Sequence, residues 1–179
     1  MFDPTAFENM KVVIEGALYD RDLDGELSIF DRNDYINAAK LSRRYEVSFT
    51  DQPNCQHDLY CTFIMEAGLE NLAAELLQSA HSDKLAGCQI FVKVSFKHQY
   101  ETSIFQKIEE TLKAIWGEER SIKQLILSDP FSNQSLITNE VVVAFNRLVY
   151  EEQMNDIEAM IDYMTLSLKE LRTVILTSK

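Results

Sequence analysis

The chain has 179 residues, 46% of them apolar and 26% charged, which is enough for one hydrophobic core and too balanced for a disordered or low-complexity chain. A net charge of -12 opposes nucleic-acid binding, which draws its affinity from Lys and Arg displacing counterions, and no apolar run approaches the roughly 20 residues that cross a bilayer. The first residues lack the basic patch and apolar stretch of a signal peptide, and the odd set Cys55, Cys61 and Cys88 fits reduced thiols, so a cytoplasmic protein is expected.

Acid is concentrated in the first 34 residues, where Lys11, Arg21 and Arg32 are the basic side chains. Asp3-Pro4 suits a helix start, and Phe7, Met10, Ile14 and Leu18 share a helical face, whereas Val12-Val13-Ile14 ahead of Gly16 reads as strand. The segment Asp20-Arg-Asp22-Leu-Asp24-Gly25-Glu26-Leu27-Ser28-Ile-Phe-Asp31 follows. Its acids at positions one, three and five, its glycine at six, apolar residue at eight and hydroxyl at nine resemble the calcium loop of the EF-hand family. The resemblance implies calcium held by the side chains of Asp20, Asp22, Asp24 and Asp31, the carbonyl of Glu26, and Ser28 directly or through water. Asp31 stands where the family has a bidentate Glu, and the sequence holds no second such loop. A β-hairpin with an acidic tip fits the same residues: a connection from Asp22 to Glu26 sets Leu18 opposite Phe30 and Tyr19 opposite Ile29, and the β-branched surroundings favour it. Such a tip could still hold a cation.

Apolar residues then alternate at Tyr45, Val47 and Phe49, and a second strand spans Leu59 to Met65. Asp51-Gln-Pro-Asn54 between them is turn chemistry, so the two form a hairpin. Leu69, Leu72, Ala73, Leu76, Leu77 and Ala80 mark a helix over 68–81. Ile90, Val92, Val94 and Phe96 give a further strand. Ser103 and Gln106 read as a capping box opening a helix that Gly117 closes. Ile122 to Leu127 is a short strand, and 128–135 is a surface loop. The residues from 139 to 176 read as one long helical element. Within it Met154, Ile157, Ile161, Met164, Leu168, Leu171 and Ile175 alternate at spacings of three and four, the a/d seam of a heptad pattern. The seam serves either lengthwise packing on the chain's own domain or a second subunit.

Chemistry is sparse. Cys55, His57 and Cys61 lack the spacing of a zinc knuckle, and phosphate-cradling loops, nucleophile elbows and dinucleotide fingerprints are missing from the sequence. Tyr100 and Trp116 suit a core or a pocket wall. The expectation is one α+β domain over 1–179. An antiparallel sheet of four to six strands and covering helices fill 1–135, and the long C-terminal helix packs on it. Its expected role is that of a non-enzymatic interaction module for a protein partner or a second copy of itself. The alternative is a calcium binder at 20–31, and the third reading is an enzyme with a motif-free site. No other cofactor is implied.

Overall fold

Six antiparallel strands form one sheet in the order β1-β2-β3-β4-β6-β5. The computed structural model describes residues 6–52, 58–76, 84–131 and 136–177. In chain order the elements are α1 (Ala6–Leu23), β1 (Ser28–Asn37), β2 (Ser42–Thr50), β3 (Leu59–Ala67), α2 (Leu69–Leu76), β4 (Cys88–Gln99), α3 (Thr102–Trp116), β5 (Ser121–Leu127), β6 (Leu136–Val149) and α4 (Met154–Thr177). Among the described residues no helix is long and apolar enough to cross a membrane.

One face of the sheet carries the core. Tyr45, Val47 and Phe49 of β2, Cys61, Phe63 and Met65 of β3, and Ile90, Val92, Val94 and Phe96 of β4 join a single buried cluster with α1, α3 and α4. Period-two alternation in the sequence is the trace of this one-sided burial. Ile64, on the other face of β3, lies outside that cluster although it is buried. Beside it Ser48 and Thr62 hydrogen-bond across neighbouring strands at 2.8 Å. The hairpin expected from 45–50 and 59–65 is present, with Tyr45 opposite Met65 and Phe49 opposite Cys61.

The acidic front differs from both expectations. Residues 6–23 are a helix, because Phe7, Met10, Ile14 and Leu18 are each fully buried on one face. That burial outweighs the poor helix propensity of the β-branched run and of Gly16. Gly25 then ends the helix. Its φ of 76° permits the amide of Glu26 to reach the carbonyl of Arg21 at 2.9 Å and its own amide to reach Asp22 at 3.0 Å, the paired bonds of a Schellman cap. The glycine that suits a calcium loop or a hairpin tip is therefore a helix stop, and β1 follows from Ser28 to pair with β2 rather than with 18–22.

Two other boundaries move. Glu101, not Ser103, precedes α3, and no side chain caps it. Residues 136–149, partly assigned above to the C-terminal helix, form β6, with Ile137, Asn139, Val141, Val143 and Phe145 directed to the buried side. The helical element begins only after a 3-10 turn at Glu151–Gln153. Helix 68–81 is seen as Leu69–Leu76, and 77–83 lie outside the described residues, as do Cys55 and His57.

A polar chain crosses the core edge. His98 is 3% exposed and stacks on Phe96 and Phe105. Its Nδ1 lies 2.7 Å from the Gln99 carbonyl, which can only accept, so Nδ1 donates and Nε2 accepts from the Asn139 amide at 3.1 Å. That amide also donates to Gln124, which in turn donates to the Phe105 carbonyl at 2.9 Å. The bond that Nε2 accepts from Asn139 requires neutral imidazole, and burial holds the His98 pKa below its ordinary value.

Two outcomes follow from this packing. Met164 is fully buried, so Met164→Asp loses about 2–5 kcal/mol of side-chain packing and adds an unpaired buried carboxylate. Thermal unfolding should show the loss of the cooperative transition, while Leu166→Asp, on the exposed side of the same helix, leaves it in place. For His98, the unfolded chain takes up a proton near pH 6.5 and the folded chain resists, so its stabilising contribution is complete above that value and is lost as pH falls below it. Between pH 7.5 and 5.5 stability should therefore decline. In His98→Gln that slope should flatten, as chemical denaturation at each pH would show.

Candidate functional site

The residues expected to ligate calcium are not gathered. Asp20 and Asp22 lie in the last turns of α1, Asp24 in the turn after it, and Ser28 and Asp31 on β1. Among the described residues no group of three or more His, Cys, Asp or Glu is placed to hold a metal ion. The heptad seam is spent inside the chain. Ile157, Ile161, Met164, Leu168 and Leu171 are fully buried, and Met154 and Ile175 pack half-buried against the same core.

A groove of about 500 Å³ opens where α3 ends, between β6 and the first half of α4. Its floor is aromatic. Trp116, the single tryptophan of the chain, meets Phe145 edge to face at 5.7 Å and Tyr163 at 5.6 Å. The indole N–H donates to the Ser167 hydroxyl at 2.9 Å, which fixes the ring and leaves no buried donor unpaid. Gly117, at φ 90°, returns its amide to Lys113, and the Arg120 amide bonds Gly117. This tight reversal carries the chain from α3 into β5 and lays the Arg120 guanidinium over the Phe145 ring, 4.6 Å from its centre.

Charge distinguishes this groove. Arg21, Arg32, Arg43, Arg44 and Arg172 each form an ion pair with Asp or Glu. The remaining arginines, Arg120 and Arg147, form none with a described carboxylate, and both line the groove. Arg120 keeps a buried Nε without a hydrogen-bond partner. Arg147 donates to neutral oxygens, at 3.0 Å to the Gln153 side chain and 3.3 Å to the Leu148 carbonyl. Asp156 is the one acid of the lining and lies beyond ion-pair distance of either. By contrast, the shallow hollow beside α4 that contains Arg21 and Glu26 also contains Asp162, which neutralises that arginine at 2.6 Å. In a chain of net charge -12, two guanidinium groups that line one groove, neither ion-paired to a described carboxylate, form a local site for a negative group.

Among the described residues the thiols and the imidazole lie elsewhere. Cys61 and Cys88 are buried, and burial raises both thiols, Cys88 to about 12. The imidazole of His98 is sealed by its own hydrogen bonds. Sequence reasoning placed Trp116 at a possible pocket wall but missed Arg120 and Arg147, which stand 27 positions apart and carry no motif. A comparison of the chain with protein-family models, with curated proteins and with solved structures found no match to any of them.

Proposed function

We propose that the protein is a non-enzymatic interaction module that takes an acidic segment of a protein partner into the α3–β6–α4 groove. The observation that carries this reading is that Arg120 and Arg147, the two arginines without a partner among the described carboxylates, share one aromatic-lined concavity. A guanidinium held over an aromatic ring by its charge still has N–H groups to offer the oxygens of a carboxylate. Trp116, Phe145 and Tyr163 offer the apolar surface for a neighbouring side chain of the same segment. A binding role agrees with the described groups of the groove, where Asp156 has no imidazole, thiol or second acid beside it with which to share a proton. We take the module to act in the cytoplasm, where thiols such as Cys61 and Cys88 stay reduced.

Trp116 supplies the readout, since the only indole of the chain lies in the groove. Titration with acetyl-Phe-Glu-Leu-Asp peptide should change its fluorescence saturably. Removing the guanidinium pair in Arg120→Ala/Arg147→Ala should weaken binding by about tenfold or more, the worth of one or two charge-assisted hydrogen bonds. Raising salt should act in the same direction. Equal response to the carboxylate-free acetyl-Phe-Gln-Leu-Asn-amide, or no response at millimolar acidic peptide, would overturn the reading.

A further inference from the structure

The sheet has two edges, β1 and β5, and they are built differently. The β1 edge is blunted: its register slips between Ile29 and Asp31, and it carries Asp31, Arg32 and Asp34. Asp34 and Arg32 are further tied to α1 through Lys11 and Glu15. Bulges and charges of this kind discourage a further strand. β5 has no bulge and only one charge. It runs in unbroken register with β6, from Ser121 opposite Ala144 to Leu127 opposite Thr138. Lys123 is its single charge, it contains no proline, and Leu125, Ile126 and Leu127 are 42%, 40% and 54% exposed in succession, so both faces of the edge are apolar.

We infer that β5 is the surface at which a second copy of this chain adds, antiparallel and about a two-fold axis, to make one continuous sheet across two subunits. Its own charges select the register. Residues opposite one another must lie on the same face, so the axis passes through a residue of the strand. An axis at Gln124 or Leu125 sets Lys123 against a leucine of the other copy. An axis at Ile126 sets Leu125 against Leu127, Ile126 against itself, and Lys123 against Asp129, which lies two residues past the end of β5 and accepts the Phe131 amide at 2.9 Å. Only the last pairs the lysine with an acid and the leucines with each other, and the strand is thereby complementary to its own copy. α3 does not obstruct this arrangement at its anchor on β5, the bond from Gln124 to the Phe105 carbonyl, because Ile126 on the same face remains 40% exposed.

Sedimentation of the full chain from micromolar to millimolar concentration should show conversion from 20.7 kDa to twice that mass. Leu125→Lys/Leu127→Lys should raise the dimer Kd at least tenfold with the melting temperature unchanged, since both side chains are exposed in the single copy. Ile126→Cys, on the axis, should form a disulfide-linked dimer under mild oxidation, and Ile36→Cys on the β1 edge should not. A mass of 20.7 kDa at every concentration, a dimer indifferent to the two lysines, or equal cross-linking at position 36 would each overturn the inference.

Discussion

Met164 and Leu168 occupy the middle of α4 without exposed surface, and they do so because α4 crosses β3 and β4, the two central strands. That contact organises the rest. With the centre of the sheet occupied, α1 packs along one side of α4 toward β1 and α3 along the other toward β5. The three helices saturate one face, and the alternation of the strands follows from there being only one face to fill. It also explains why the heptad seam offers no surface to a partner. A stripe at spacings of three and four buries equally well against a sheet and against a second helix, and here the sheet takes it.

Where α3 stops at Gly117, α4 continues, and this mismatch in length leaves the groove. The aromatic floor is the part of the core that α3 no longer covers. Trp116 and Phe145 are each only 9% exposed, so their part of the floor is core, whereas Tyr163 at 47% is its surface side. The arginines gain their significance from the same geometry. Elsewhere in this acidic chain a guanidinium finds a carboxylate close by, whereas Arg120 is held by an aromatic ring and Arg147 by neutral oxygens. Neither charge is thus met by a described carboxylate.

Much of the fold was legible before any coordinates. The α+β class, the hairpin of β2 and β3, β4, the end of α3 at Gly117 and the burial stripe of α4 all come from periodicities that burial itself imposes. The misreadings have physical causes. Asp24-Gly25 is compatible with a calcium loop, a hairpin turn and a helix stop, because all three need a residue at positive φ; what chooses among them is the core burial of Phe7, Met10, Ile14 and Leu18. Strand β6 alternates cleanly, yet the polar Asn139 stands at a buried position and neither Gly nor Pro separates the strand from α4. Asn139 belongs there because His98 and Gln124 receive its amide protons, a requirement written on three separate strands. The groove was least legible, since its parts come from the ends of α3, β6 and α4 and meet only in three dimensions.

Groove and sheet edge are also joined through one short stretch of chain. Gly117 to Arg120 is the reversal that sets a guanidinium over Phe145, and the next residue, Ser121, begins β5. Pairing of β5 with a second copy would fix the direction of this strand from its outer side, as β6 already fixes it from the inner side. The backbone that positions Arg120 would then be held by two strands instead of one, and less conformational freedom would be lost when a carboxylate binds. Self-association at the edge and anion capture at the groove would therefore favour one another through a shared segment, without any contact between the two surfaces.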